Sequence, residues 1–489
     1  MFGIFEKKQP IHEGEPLFLY NTLSKTKEVF KPLKAGAVLM YSCGPTVYDY
    51  ATIGNLRSYA FSDILKRALK YNGYAVNQTI NLTDFGHLTS DADTGEDKMM
   101  KGLKREGKPV TLAAMRELSD TYIDAFVNDT KELNILPANQ YTRASDYVRE
   151  EVALIKTLED KGYTYETSDG VYFDISKFPT YGTLGNIDLE KLKEGARVEV
   201  NEEKRHSADF ALWKKGLLGW DSKWGKGFPG WHVECTAMIF ASLGKQIDIH
   251  TGGVDHIATH HNGEIAQAEA ATGKQFVKYW MHNAFITIEG RRIGKSEGNA
   301  ITLRNLKGRG FQGDAYRYWL LTGHYRAQMN FTFEALGAAK QALFRLKRHV
   351  YEEYYPAKKQ AKKTGSIHEK YQHEFQHAIN DDLDTPKAIA ILWELIKDET
   401  VSPADKLATL KDMDSVLGIG LSDKPDDIVR ELGIIPQEEL PDEVQELVEK
   451  REAARIARNW EEADILREAI NLKGYSVEDG PDGPKILKE

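Results

Sequence analysis

The fold is decided by residues 41–82, which read YSCGPTVYDYATIGN (41–55), LRSYAFSDILKRALKYNGY (56–74) and AVNQTINL (75–82). In the middle piece Leu56, Ala60, Ile64 and Ala68 recur every four residues, flanked by Phe61, Leu65 and Leu69. That spacing predicts a helix buried over a broad face. Asn72-Gly73 ends it with a C-terminal glycine signal. One strand precedes it (Ala37 to Ser42) and another follows (Ala75 to Leu82). Strand, helix, strand in this order implies a βαβ unit and a parallel sheet.

Working outward, Leu17 to Tyr20 and Lys25 to Glu28 read as two short strands joined by a polar turn. Ser90 to Lys108 is densely charged and reads as an exposed loop. Helical patterns run from Thr111 to Leu133 and from Ser145 to Lys161, and Tyr163 to Trp224 mixes short strands with turn residues, as an inserted subdomain does. The alternation then resumes: helix Val233 to Leu243, strand Gln246 to His250, a glycine turn Thr251-Gly252-Gly253, helix His261 to Thr272. A split nucleotide-binding fold binds its ligands beyond the carboxyl ends of the strands. After about residue 303 the pattern is helical, with Leu336, Leu343 and Val350 at heptad spacing. Residues 356–365 form a basic linker. Asp381 to Pro386 opens another helix, with Thr385 as N-cap and Pro386 at the first helical position. A long charged helix, Glu443 to Leu472, comes last.

The chain has 489 residues, room for about three domains, and 41 % apolar residues exclude wholesale disorder. No apolar run of about eighteen residues exists, so no membrane span is expected. The opening MFGIFEKKQPIHEGE lacks the long apolar stretch of a signal peptide, so a cytoplasmic location is expected. Two cysteines exclude a disulfide framework and leave free thiols, core residues or metal ligands. The net charge of -9 argues against a general nucleic-acid coat protein but permits a local basic groove.

Four constellations carry chemistry. Cys43 and Cys235 each lie near a strand or helix end, and His260 and Glu264 lie four apart on one helix face. Two thiolates, an imidazole and a carboxylate suit zinc. The competing reading is two buried cysteines and a surface His/Glu pair, and spacing alone does not separate His260 from His261. Thr52-Ile53-Gly54-Asn55 opens a helix, where the dipole and free N–H groups favour phosphate. An ordinary turn into a helix reads the same way. Arg292 to Ser296 (RIGKS) looks like a loop that neutralises phosphate, as many surface loops do. Gly253 and Asp255, after a strand, fit a nucleotide-contacting turn whose carboxylate accepts from ribose hydroxyls, or a simple tight turn.

Taken together, these stretches resemble the cysteinyl-tRNA synthetases, a family of class I aminoacyl-tRNA synthetases. YSCGPTVYDYATIGN resembles the family's opening signature with its HIGH-type motif. FPTYGTLGNIDLEKLKEGARVEV and DFALWK resemble its insertion. GWHVEC, DIHTGG and HHNGEIAQ resemble its second half-site, and RRIGKSEGN its KMSKS-type loop. NDDLDTPKA and RNWEEADILREAINLKGYSVEDGPDG resemble its C-terminal parts. The resemblance implies an α/β fold: a Rossmann-like doubly wound parallel sheet with an inserted subdomain, then an all-α C-terminal helical bundle. The implied division is 1–120 and 230–303 for the catalytic halves, 121–229 for the insertion, 304–365 for stem-contact and linker helices, 366–430 for a helical tRNA-binding domain, and 431–489 for an anticodon-binding region.

The resemblance further implies an ATP-dependent enzyme that activates L-cysteine to cysteinyl-adenylate and transfers it to the 3′-terminal adenosine of tRNA-Cys, as a monomer, with Mg2+ accompanying ATP. One Zn2+ per chain is implied on Cys43, Cys235, His260 and Glu264. Cys43, Gly44, Thr83, Trp231 and Cys235 are implied around the cysteine. Thr52, Ile53, Gly54, Asn55, Gly253, Asp255, Lys295 and Ser296 are implied around ATP, with Lys295, Thr52 and Asn55 in the catalytic role. Lysines and arginines in 340–363 (Lys340, Arg345, Lys347, Arg348, Lys358, Lys359, Lys362, Lys363) are candidates for tRNA phosphates. The chain departs from the pattern at Thr52, where the motif has histidine, and at Asn55, Arg292, Gly294 and Glu297. Thr52 and Glu297 bear on the rate of the ATP step. Three other readings compete: a cysteine:amino-sugar ligase of the mycothiol type, a paralogue that binds zinc and tRNA without catalysis, and an unrelated zinc hydrolase.

Overall fold

The computed structural model describes the chain except residues 1–14, 87–97, 189–201, 294–298, 355–364, 423–427, 430–431, 436–438, 481–482 and 489. It divides into two compact units, residues 1–337 with 373–391, and residues 338–372 with 392–489.

The first unit is built on a five-stranded sheet in the spatial order Val277–Asn283, Ile247–Gly253, Ala37–Ser42, Ala75–Leu82, Gln140–Arg143. Every neighbouring pair is parallel. Chain order runs one way from Ala37–Ser42 and the other way from Ile247–Gly253, so the sheet's direction of growth reverses between these two strands. That switch is where a crevice opens in doubly wound folds. Gly252 and Gly253, expected as a turn, are the last residues of the strand, paired with His282 and Asn283. The parallel ladder extends further than the apolar run because both faces are covered.

The predicted first helix spans Ile53–Tyr71 and is buried on nearly every face. Buried charge along it is paired. Asp63 accepts from Arg67 Nε (2.8 Å), Arg317 Nη2 (2.6 Å) and the Leu136 N–H (2.8 Å). The insertion forms a four-stranded antiparallel sheet: Thr164–Thr167, Gly170–Phe173, Phe210–Trp220 and Gly227–Pro229. Its core, Leu154, Ile155, Phe173 and Trp213, is continuous with Val233 and Ala266 of the next two helices. The insertion therefore packs directly on the elements that carry the second half of the site.

Four expectations change. Within the stretch read as a loop, Lys98–Arg105 is a helix that buries Met99, Gly102 and Leu103. Thr385 is the first residue of its helix, not the cap; Asp384 Oδ1 accepts the Lys387 N–H (3.1 Å). The stretch Glu443 to Leu472 is two helices, Asp442–Ile456 and Trp460–Leu472, separated where Arg458 takes a φ of 58° and Asn459 caps the second. The C-terminal helices also carry a small sheet, Ile434–Ile435, Gly483–Lys488 and Tyr475–Gly480, closed over Val444, Val448 and Ile470. Among the described residues no helix is long and apolar enough to cross a membrane.

Candidate active site

The switch point holds a cleft of about 320 Å³ lined by Cys43, Gly44, Thr52, Gly54, Asn55, Thr83, Trp231, Gly253, Asp255 and His260. These come from six separate stretches of chain. Cys43 follows the strand Ala37–Ser42, and its N–H donates to the Thr251 carbonyl (3.0 Å) across the strand pair. Gly44 is the only residue that fits next, since a Cβ there would stand 1.6 Å from the Asn81 carbonyl oxygen. Its N–H donates to Asn81 Oδ1 (2.6 Å). Thr83 Oγ1 accepts from Asn81 Nδ2 (3.2 Å) and donates to Glu234 Oε2 (3.1 Å).

Beneath the cleft, Cys43, Cys235, His260 and Glu264 are all buried, and their donor atoms lie within 4.8 Å of one another. Cys235 comes from the helix Trp231–Ser242 and Glu264 from the first turn of Asn262–Thr272. His260 sits in a single π-helical turn, Ile257–His261, the kind of local over-winding found at functional sites. His260 Nε2 and Glu264 Oε1 form a buried ion pair at 2.9 Å, but this carboxylate oxygen receives no aligned hydrogen bond. A buried oxygen without a hydrogen bond costs about 1–3 kcal/mol or more, and a cation held by all four groups satisfies it. The donor set, two sulfurs with one imidazole and one carboxylate, therefore fits zinc. His232 Nδ1 lies 3.0 Å from His260 Nδ1, which fixes the ring with Nε2 toward the thiols. Trp231 stacks on the same ring, with centroids 4.2 Å apart.

The electrostatics agree with that fit. A hydrogen bond from Cys43 pushes the Cys235 thiol down to about 6, against burial, with His260 assisting. Burial, then Cys235, pushes Cys43 up. Burial disfavours charge on His260, yet Glu264 and Cys235 outweigh it and lift the imidazole to about 10. Glu264 is held at about 2, because His250 and His260 outweigh its burial. The group thus favours a thiolate and a carboxylate, with a proton on His260 that a bound cation would displace.

His261 does not join both cysteines. It belongs to an overlapping buried set, Cys43, His250, His261 and Glu264. His261 Nδ1 lies 2.8 Å from His282 Nε2, and His282 Nδ1 lies 2.8 Å from Thr22 Oγ1. Sequence reasoning missed His250 and His282. Each is a histidine buried inside a parallel strand, which is a signal in itself, because such strands are otherwise apolar.

The nucleotide side is arranged differently from expectation. Thr52 and Asn55 form a capping box: Thr52 N–H and Oγ1 donate to Asn55 Oδ1 (3.0 and 2.8 Å), and Asn55 N–H donates to Thr52 Oγ1 (3.3 Å). The Ile53 N–H donates to the Ile301 carbonyl (2.8 Å). The turn thus offers a phosphate the helix dipole more than a row of open amides. A Cβ at Gly253 would stand 2.2 Å from Asp255 Oδ1, so any other residue there would push the Asp255 carboxylate aside. Asp255 is exposed at the cleft rim. Lys295 and Ser296 lie outside the described residues. Arg292 stands over the Phe285 ring, 5.6 Å from its centroid. Of the basic candidates in 340–363, Lys347 is only 3 % exposed and so is not open to a phosphate, while Arg348 is partly exposed and pairs with Glu478. Lys358, Lys359, Lys362 and Lys363 lie outside the described residues.

Because the capping box orients Asn55, Thr52→Ala is expected to cost about 1 kcal/mol of stability. Thr52→His is expected to slow adenylate formation in a pyrophosphate-exchange assay; a faster enzyme would show that threonine limits the rate.

Three family models match the chain. Residues 29–341 match the tRNA synthetases class I (C) catalytic domain, 374–422 the DALR domain, and 437–484 the cysteinyl-tRNA ligase anticodon binding domain. Cysteine--tRNA ligase 1 of Burkholderia lata is 45 % identical over 479 residues, covering 96 % of this chain and 97 % of that protein. Cysteine--tRNA ligase of Treponema denticola is 42 % identical, covering 95 % and 98 %. Among solved structures, Mycobacterium tuberculosis methionyl-tRNA synthetase with methionyl-adenylate superposes with a TM-score of 0.56 at 14 % identity, covering 82 % of this chain and 95 % of that one. The Agrobacterium radiobacter leucyl synthetase in a ternary complex gives 0.60 at 11 %, covering 83 % and 86 %. The last two bear on the fold alone, which is that of a class I synthetase.

Proposed function

Since this chain belongs to the cysteine–tRNA ligase family, we propose that Cys43, Cys235, His260 and Glu264 hold a zinc ion and that this set selects its amino acid. The enzyme is an ATP-dependent aminoacyl-tRNA synthetase that attaches cysteine to tRNA-Cys. The single observation carrying the selection is the convergence of both cysteines of the chain, with His260 and Glu264, directly beneath the cleft. When bound, zinc supplies a soft Lewis-acid centre that prefers a thiolate to a hydroxyl. An apolar pocket separates near-isosteres by only about 1–3 kcal/mol.

The chain's own residues do the rest by positioning. Trp231 and Thr83 wall the cysteine. Thr83 donates to Glu234 and accepts from Asn81, which fixes its hydroxyl at the wall of the cleft with one lone pair remaining for the substrate ammonium. Gly54 and the Thr52–Asn55 turn face the ATP phosphates, Asp255 the ribose, and Lys295 with Ser296 the charge that develops on the phosphates, with Mg2+ accompanying ATP. The cysteine carboxylate attacks the α-phosphorus, and a hydroxyl of the tRNA's terminal adenosine then attacks the adenylate's carbonyl. Residues 1–120 and 230–303 would serve activation, 121–229 and 304–365 the acceptor end, and 366–489 the rest of the tRNA. The match to C-terminal tRNA-reading models separates this chain from an amino-sugar ligase.

The test is cysteine-dependent ATP–pyrophosphate exchange. Cysteine is expected to drive it and serine at equal concentration is not; equal rates with both would refute selection by sulfur.

The C-terminal unit supplies a further contact. Trp460 opens the last helix and is 59 % exposed, in the stretch that matches the anticodon-binding model. An exposed aromatic, with an arginine (Arg458) two residues earlier in the chain, suits stacking on an unpaired base, worth about 1–3 kcal/mol. Trp460→Ala is expected to raise the KM for tRNA roughly tenfold in aminoacylation while leaving pyrophosphate exchange unchanged. An unchanged KM would remove Trp460 from the interface.

A further inference from the structure

The proposed zinc set is backed by a buried histidine on the central sheet. His250, at the middle of the strand Ile247–Gly253, is fully buried, and its Nε2 lies 2.8 Å from Glu264 Oε2. The carboxylate is therefore divided: Oε1 faces His260, and Oε2 faces His250. The other ring nitrogen, His250 Nδ1, has no partner. A buried N–H without an acceptor is costlier than a bare lone pair, so the geometry assigns the proton to Nε2 and makes His250 the donor to Glu264. The ring cannot follow the carboxylate. Trp280 stacks on it with centroids 4.7 Å apart at 19°, and Tyr41 closes edge-on at 5.1 Å.

We propose that His250 is a positioning residue for the metal set: a fixed N–H donor that anchors one oxygen of Glu264 and so sets how firmly the other serves the ion. This rests on the zinc reading above. Glu264 is the one hard ligand among softer donors, and its second oxygen is held by the stacked His250 ring, as the second nitrogen of His260 is held by His232. With His250 in place, the carboxylate keeps a partner whether or not its Oε1 is engaged. Without it, a loosened Glu264 would be an unpaired charge in a dry pocket, which is strongly unfavourable. Loss of such an outer partner of a metal ligand typically costs 10–100-fold in metal affinity.

The experiment uses the full-length purified protein and measures zinc content and the rate of zinc loss to a chromogenic chelator, beside the KM for cysteine in pyrophosphate exchange. His250→Phe keeps the stacked ring and deletes the donor; His250→Gln retains a donor. Zinc loss is expected to be about ten- to a hundredfold faster in the phenylalanine variant, with the glutamine variant nearer wild type. Equal loss rates in His250→Phe and wild type, or equal impairment of both variants, would overturn the proposal. Should the phenylalanine variant not fold, histidine-selective 15N spectra of the zinc-loaded wild type decide. A proton on Nε2 facing Glu264 is expected, and a ring whose only proton sits on Nδ1 would overturn the assignment. A wild type that holds no zinc would refute the metal reading itself, and is thereby distinguished from a failure of His250 alone.

Discussion

Cys235→Ser is expected to abolish zinc retention and to raise the KM for cysteine by at least about a hundredfold. The lower bound follows from the metal-site rule that losing an outer partner alone costs 10–100-fold; removing a sulfur ligand removes more. The substitution tests chemistry and not packing. Cys235 is 1 % exposed inside the helix Trp231–Ser242, and serine occupies nearly the same volume. Its thiol, pushed down to about 6 chiefly by the hydrogen bond from Cys43, is the group best placed to be a thiolate. A hydroxyl at that position stays protonated and binds zinc poorly. Discrimination between cysteine and serine should fall with the metal content. Metal analysis and exchange kinetics read both, and a variant with full zinc and an ordinary KM would remove Cys235 from the site.

The second large effect concerns the scaffold. Asp63→Ala is expected to lower the stability of the first unit by about 3–5 kcal/mol, the usual cost of stripping one partner from a buried ion pair. Asp63 is fully buried and serves Arg67, Arg317 and the Leu136 N–H at once. Arg317 is itself 1 % exposed and would lose its carboxylate partner, keeping the neutral carbonyls of Leu133 and Asn134. Chemical denaturation should show the midpoint moving down sharply. A shift within that of a surface substitution would mean water or a local rearrangement satisfies both guanidiniums.

Much of this was legible in the residues because each signal had a single physical cause. The four-residue spacing from Leu56 to Ala68 could be satisfied only by a helix buried on a wide face, and it is. The two cysteines stood out because the chain has no others, and His260 and Glu264 because they lie four apart, but spacing left His261 equally open and only the resemblance chose between the two histidines. Other features needed three dimensions. The helix Lys98–Arg105 is two turns long, and its three buried residues are too few for a periodic pattern. The break at Arg458 was readable in principle, since Asn459 followed by Glu461 and Glu462 is a helix start, but the charged periodicity on both sides hid it. Thr52 looked like a weakened phosphate contact, whereas its hydroxyl is committed to Asn55. Lys347 looked like part of a basic face and is buried. His250 carried no motif. Its meaning comes from facing Glu264 across the interior, fourteen residues away in the chain.

Zinc K-edge X-ray absorption on the purified wild-type protein, with and without L-cysteine, tests the central claim most directly. Two sulfur scatterers are expected for the protein alone and three with cysteine bound, with no change on adding serine. An unchanged sulfur count in the presence of saturating cysteine, or a fully active protein without zinc, would contradict the account.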